Sequence, residues 1–157
     1  MTYRILPLSL EPFANLFALS DDELLDLGAR RMTAEKPNSS PCRVSLCDAE
    51  PGEQLILAHH VHVEDPSSPY RSGGAIFIRE GASEASLSAD TVPEMLSRRQ
   101  LSVRAYDDAA MMVSAEVVEG VVLHDRLLHW FADPSVSDVH IHTANRGCYL
   151  ARADRAD

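Results

Sequence analysis

The sequence contains little lysine, few aromatic residues and no long apolar segment. Lys36 is the only lysine among the 14 basic residues, and it lies in a polar run before Pro37, which disfavours a lysine-based enzyme. Aromatic residues make up only 6% of the 157 positions, which leaves little ring surface for stacking on nucleic-acid bases. No run approaches the ~18 apolar residues of a membrane span. Together these shortages disfavour a membrane-spanning or a base-stacking protein.

Positive charge is also scarce. The formal net charge is −10, and acidic residues exceed basic ones in both halves of the chain. A surface that is negative throughout repels phosphate backbones and anionic lipid. We therefore expect neither nucleic acid nor a membrane as a partner.

Cysteine is represented by Cys42, Cys47 and Cys148 alone, in no Cys-x-x-Cys motif. An odd number of cysteines cannot all pair, and the first ten residues are too short and interrupted a stretch for a secretion signal. These features predict reduced thiols and a cytoplasmic location. On the predicted strand 42–47, Cys42 and Cys47 point to opposite faces and cannot share a metal.

The remaining composition, 45% apolar and 24% charged, is that of an ordinary globular protein and predicts a single domain, 1–157. Alternating and helical apolar patterns predict about eight strands and three or four short helices. The predicted strands are 3–8, 42–47, 54–63, 75–79, 101–106, 111–118, 137–143 and 148–152. The predicted helices follow Pro12, the Ser20–Glu23 capping box, Pro93 and Gly120. Because most strands follow one another as hairpins, the predicted class is α+β with a largely antiparallel sheet.

Six short segments form a recognisable pattern along the chain: Pro41-Cys42-Arg43-Val44-Ser45-Leu46, Asp48-Ala49-Glu50-Pro51-Gly52-Glu53, Ser68-Pro69-Tyr70-Arg71, Ile76-Phe77-Ile78-Arg79-Glu80, Val139-His140-Ile141-His142 and Gly147-Cys148-Tyr149. In this order and spacing they resemble a bacterial family known only as domain of unknown function 1203. The resemblance covers nearly the whole chain, with Ala75 where a proline is expected. It implies a small, single-domain bacterial protein and assigns no reaction, ligand or catalytic residue.

Two histidine pairs at strand spacing are the strongest candidate site: His60, His62, His140 and His142. Residues two apart on a strand share a face, so both imidazoles of a pair can reach one ion. If the two strands meet, four imidazoles converge on a divalent transition metal such as zinc, with Asp138 and Glu64 on the same faces. The alternative is that the histidines face solvent on the outer side of a half-buried sheet.

The segment Tyr70-Arg71-Ser72-Gly73-Gly74 is a second candidate site, for a small anionic ligand. Its glycines can turn backbone N–H groups towards an anion, and Arg71 can contact a carboxylate or phosphate with two N–H groups. The alternative is a glycine turn that enters a strand. A third candidate is Cys148 as a reactive thiol, whose alternative is a small buried residue.

These observations leave three functions open. The sequence favours a noncatalytic small-molecule-binding or self-assembling protein, such as a homodimer formed through a sheet edge or the helix from Leu123 to Phe131. The first alternative is a metal-dependent or histidine-based small-molecule enzyme that uses the His-x-His strands. The second is a redox sensor based on Cys148.

Overall fold

The computed structural model of the protein describes residues 2–156. Within this range eight strands form two antiparallel sheets. The strands are β1 (Tyr3–Leu6), β2 (Arg30–Thr33), β3 (Gln54–Val63), β4 (Ser72–Arg79), β5 (Gln100–Tyr106), β6 (Met112–Glu119), β7 (Asp138–Thr143) and β8 (Tyr149–Arg155). The α-helices are α1 (Asp21–Asp26), α2 (Glu94–Ser97) and α3 (Leu123–Phe131), and 3-10 turns cover Ala14–Ala18 and Gly120–Val122. The predicted α+β class is confirmed.

The larger sheet has the strand order β1-β8-β7-β5-β6 and buries one face beneath α3. The predicted apolar spacing of α3 is confirmed, since Leu127 and Phe131 lie in the same core as Val139 and Ile141 of β7. Burying a leucine or phenylalanine side chain contributes roughly 1.5–3 kcal/mol, so this layer holds α3 on the sheet. The opposite face of β7 is left for polar residues.

The smaller sheet has the order β2-β3-β4 and a core of its own. Ile56 and Ala58 of β3 lie in this core with Ile76 and Ile78 of β4. Since alternate residues of a strand share a face, His60 continues the line of Ile56 and Ala58 beyond the core. That line points β3 towards the polar face of the larger sheet.

The strand predicted at 42–47 is wrong. Residues 42–47 form a tight turn, closed by a 3.0 Å hydrogen bond from Cys42 N–H to Cys47 C=O, with Leu46 at φ 53°. The alternating apolar and polar residues are typical of a strand. The left-handed backbone conformation of Leu46 instead reverses the direction of the chain. The hairpin partner expected for β3 is therefore replaced by β2 and β4, and Cys42 is buried whereas Cys47 is exposed.

The turn at 42–47 connects the two cores. Leu46 lies in the core of the larger sheet, while Cys42 and Val44 lie in that of the smaller one. Between them, the buried Arg43 donates from Nε to the Tyr149 carbonyl at 2.7 Å, which ties the turn to β8. The cores are thus held together beside the point where β3 meets β7.

Other predicted local features are confirmed. Ser20 caps α1, because its Oγ accepts a hydrogen bond from Glu23 N–H at 3.2 Å. The hairpin of β5 and β6 is also present. Within residues 2–156, no helix has the length and apolar character needed to cross a membrane.

Candidate metal centre

β7 places three polar side chains on the face opposite the core: Asp138, His140 and His142. Val139 and Ile141, which alternate with them, are fully buried under α3. The two histidines are also buried, with 4% and 1% of their surface exposed. The interpretation of this pair as solvent-facing is therefore wrong, because the rings of His62 and Tyr149 pack against both histidines.

His62 reaches the same place from the smaller sheet. It lies in a β-bulge of β3, since Val61 pairs with Gly73 and Val63 pairs with Ser72 of β4. A bulge leaves its extra residue out of the ladder and can turn its side chain in a new direction. The His62 Nδ1 atom lies 2.9 Å from the His140 Nδ1 atom, so the strands of the two histidine pairs do meet.

Three of the four predicted histidines therefore form one group. Each of His62, His140 and His142 offers a ring nitrogen, and these nitrogens lie within 4.8 Å of one another. His60 is not part of the group; its ring lies 5.2 Å from that of Tyr149, at the edge of the adjoining cleft. The arrangement is a three-histidine cluster with a fourth histidine beside it.

Hydrogen bonds behind the cluster fix which nitrogens carry lone pairs. The Asp138 carboxylate accepts a 2.9 Å hydrogen bond from His140 Nε2, and the Gly147 carbonyl accepts one of 3.0 Å from His142 Nδ1. In a neutral imidazole, one protonated nitrogen leaves the other as an acceptor. His140 Nδ1 and His142 Nε2 therefore present lone pairs to the cluster.

The His142 Nε2 atom is buried and has no hydrogen-bond partner among the described residues. Such an atom is costly, because a buried polar group without a partner loses roughly 1–3 kcal/mol relative to water. The nearest imidazole nitrogens do not pair with it, because His62 Nδ1 and His140 Nδ1 are already hydrogen-bonded to each other at 2.9 Å. A bound cation at the centre of the cluster would satisfy all three rings.

Burial keeps two of these rings uncharged. It lowers the pKa of His142 to about 3, with the Arg104 guanidinium as the next cause, and that of His62 to about 4, with His140 as the next cause. Neutral imidazole is the form that binds a metal. At neutral pH the cluster is therefore ready to act as a ligand set.

Two tyrosines complete the surroundings. The Tyr149 ring stacks on His62 at a centroid distance of 5.5 Å, and the Tyr106 ring lies 4.8 Å from that of His140. Burial raises the pKa of both hydroxyls, which keeps them protonated. Sequence reasoning did not identify either tyrosine, although Tyr149 follows the turn after β7 and pairs with His142.

A cleft of about 440 Å³ opens beside the cluster. His60, His62, His140 and Tyr149 form part of its wall, and Glu64, expected on the face of His62, also lies there. His62 and His140 are thus accessible to a small molecule in the cleft, whose wall also includes Asp138, whereas His142 is not among the lining residues.

The other two candidate sites contribute no ligand to the histidine cluster. Arg71 donates from Nη1 to the Pro66 carbonyl at 2.7 Å, and Ser72, Gly73 and Gly74 belong to β4 rather than to a free turn. Tyr70 is exposed, with its ring 6.5 Å from that of Tyr106. None of these five residues lines the cleft beside the histidines.

Cys148 is partly exposed and is a free thiol, like the other two cysteines. Its backbone N–H donates to Thr143 Oγ1 at 3.1 Å, in the turn between β7 and β8. It is not a member of the group of metal-ligating side chains.

Comparison with known proteins identifies the family and nothing further. The model of the family described as a protein of unknown function, DUF1203, matches residues 39–155. The chain belongs to this family, as its motifs predict. No curated protein and no solved structure matches the chain.

Proposed function

We propose that the protein binds one divalent transition metal ion, with zinc as the best fit, through His62, His140 and His142, and that it is a metal-dependent small-molecule enzyme. The observation that carries the proposal is the buried, unpartnered Nε2 atom of His142, whose ring centroid lies 4.5 Å from that of His62 and 6.5 Å from that of His140. Histidine nitrogens are preferred ligands of zinc.

The hydrogen bonds to Asp138 and Gly147 support a metal centre over a chance cluster. Metal-binding histidines usually donate their second ring N–H to a carboxylate or a backbone carbonyl, which orients the ring. Both kinds of partner are present, at 2.9 Å for Asp138 and 3.0 Å for Gly147.

Three protein ligands beside an open cleft support catalysis over a structural role. Structural zinc sites are closed by four protein ligands, whereas catalytic ones keep a position for water or substrate. A zinc ion lowers the pKa of its bound water to ~7 and polarises a carbonyl or phosphoryl oxygen. The best-supported reaction class is therefore hydrolysis or hydration of a small molecule, with His60 at the wall of the cleft as the proton-transfer group and the Tyr149 hydroxyl as a hydrogen-bond donor.

Metal content tests the proposal. Purified full-length protein, dialysed and then loaded with zinc, should retain close to one ion per chain by elemental analysis. His142→Ala should abolish retention while its circular dichroism spectrum remains that of the folded protein. The matched control is His59→Ala, since His59 is exposed on the other face of β3. Equal retention by wild type and His142→Ala would overturn the assignment.

A homodimer is a second candidate function, favoured by the edge of the larger sheet. β6 is an edge strand, and Val113 and Val117 are 46% and 59% exposed. Antiparallel pairing of two copies centred on Ala115 would place each of these valines opposite the other. Sedimentation should then show a concentration-dependent dimer that Val117→Lys disrupts, and a strict monomer at high micromolar concentration would count against it.

The cytoplasmic location, the anionic ligand at 70–74 and the redox role of Cys148 stay predictions.

A further inference from the structure

A second groove continues from the cleft at the histidines. It has a volume of about 460 Å³ and shares four lining residues with that cleft: Leu8, His60, Val61 and Glu64. A ligand that lies at the histidines can therefore extend past His60 into the second groove without leaving the protein surface.

The wall of this second groove is largely apolar. Its lining includes Phe13, Leu16 and Leu27, with Val61 at the junction. Leu27 is 62% exposed and Val61 is 40% exposed. A ligand in this groove would therefore cover apolar surface that otherwise contacts water. Small-molecule sites combine walls of this kind with a few polar groups that orient the ligand.

The cleft at the histidines has the opposite character and is acidic. Five carboxylates line it: Glu64, Asp65, Asp107, Asp108 and Asp138. Arg152 is the one arginine in its wall, and its charge is offset by Asp138 at 3.6 Å and by Asp154. Beyond the reach of a bound metal ion, an anionic group would meet repulsion from these carboxylates, whereas an uncharged group would not.

From these two surfaces, and resting on the metal centre proposed above, we infer the substrate class. The substrate is a small amphipathic molecule whose uncharged polar head lies at His62, His140 and His142. Its apolar arm runs past His60 and Val61 into the groove of Leu16 and Leu27. The head supplies the atom that the metal polarises, and the arm supplies binding energy.

Hydroxamic acids that differ in chain length are suitable probes, because they are uncharged in solution at neutral pH and lose a proton only when they bind zinc. Calorimetric titration of the zinc-loaded full-length protein would compare acetohydroxamic with octanohydroxamic acid. A buried methylene group is worth roughly a fourfold change in Kd, so burial of three of the six additional methylenes tightens binding roughly 50-fold. An equal Kd for the two probes would contradict the proposal that an apolar arm of the substrate binds in the second groove.

Two leucines of the same helical segment provide a matched pair of variants. Leu27 lines the groove, whereas Leu25, which is 51% exposed, does not. Leu27→Glu should remove most of the chain-length effect and leave the Kd of acetohydroxamic acid unchanged. Leu25→Glu should keep the chain-length effect. Loss of the chain-length effect in both variants would contradict binding in the groove and would assign the effect to general surface contact.

The charge of the head is tested with succinic monohydroxamic acid, which carries a carboxylate. We expect it to bind at least fivefold more weakly than acetohydroxamic acid, with a smaller difference in Glu64→Gln. Tighter binding of the anionic probe would overturn this part of the inference. Failure of acetohydroxamic acid to bind the zinc-loaded protein, or failure of the protein to load zinc, would instead contradict the metal centre itself.

Discussion

At the scale of single residues, metal binding depends on which nitrogen of each imidazole has an available lone pair. His142 donates through Nδ1 to Gly147 and leaves Nε2 buried without a partner. His140 donates through Nε2 to Asp138 and leaves Nδ1 facing His62. Both rings are held in the tautomer that a metal ion needs, and this preorganisation distinguishes the cluster from three neighbouring histidines of arbitrary orientation.

Removing the charge of Asp138 tests this orientation. Asp138→Asn should lower zinc affinity roughly 10–100-fold, because the partner of a metal-binding imidazole sets both its orientation and its basicity. Competition with a zinc-binding dye would measure the affinity. Asp154→Asn is the matched control, because Asp154 also pairs with Arg152 but does not contact His140. Unchanged affinity in Asp138→Asn would show that the carboxylate plays no part in the site.

Tyr3 gives a pH-dependent prediction away from the cluster. Its hydroxyl lies 2.8 Å from His124 Nδ1, and burial raises its pKa to about 12, with Asp90 as the next cause. A pKa raised on folding stabilises the protein below the unfolded value of about 10, and this contribution disappears as pH rises towards the folded value.

Tyr3→Phe should therefore be less stable by about 1 kcal/mol at pH 8, for the lost hydrogen bond. Its free energy of unfolding should fall less steeply than that of the wild type above about pH 10, where the unfolded wild type ionises. Urea unfolding at several pH values measures both curves. Parallel curves up to pH 12 would contradict the raised pKa.

At the scale of elements, the bulge in β3 decides which histidine joins the cluster. His60 pairs opposite Gly74, whereas His62 lies between the pairs of Val61 and Val63 and is free to turn towards β7. The close approach of β3 and β4 at Gly73 permits this geometry. A Cβ atom at Gly73 would lie 2.8 Å from the His60 carbonyl oxygen and 3.1 Å from Val61 Cα.

The two adjacent glycines of β4 make a controlled experiment. Gly73→Ala should push β3 away, reduce the free energy of unfolding by about 1–3 kcal/mol and weaken zinc binding. The cause is that the β3 backbone atoms near the new Cβ cannot move without displacing His62. Gly74→Ala should change neither property, since nothing lies within 4 Å of a Cβ there. Thermal unfolding and zinc titration measure the two effects, and equal behaviour of the variants would contradict the account.

Local patterns predict the parts of the site that lie within one strand. Alternation places Asp138, His140 and His142 on one face of β7, and the structure confirms that placement. The meeting of His62 with His140 depends on a contact between residues 78 positions apart and on a bulge, neither of which leaves a local signal. The strand predicted at 42–47 is wrong for a related reason. An alternating pattern does not reveal that Leu46 has a left-handed backbone conformation.

At the scale of the whole molecule, the cluster lies between two sheets with separate cores. His62 comes from the smaller sheet, and His140 and His142 come from the larger one. The turn at 42–47 adds residues to both cores. We therefore propose that the chain unfolds as a single domain and that a bound metal stabilises the junction of its two sheets.

Thermal unfolding tests the coupling between metal and fold. The metal-free protein should unfold in one transition, and zinc at about 100 times its Kd should stabilise it by about 2.7 kcal/mol. For a chain of this size that corresponds to a rise in Tm of roughly 5–10 °C. His142→Ala should show no rise. Two separate transitions would contradict the single domain, and an equal rise in the variant would place the zinc elsewhere.

The most direct test of the metal centre is anomalous diffraction at the zinc absorption edge from crystals of the zinc-loaded protein. We predict one strong peak per chain at ~2.0–2.1 Å from a ring nitrogen of His62, His140 and His142, the usual zinc–nitrogen distance, with a fourth position open to the cleft. No peak between these rings, with His62 and His140 still hydrogen-bonded at 2.9 Å, would contradict the account.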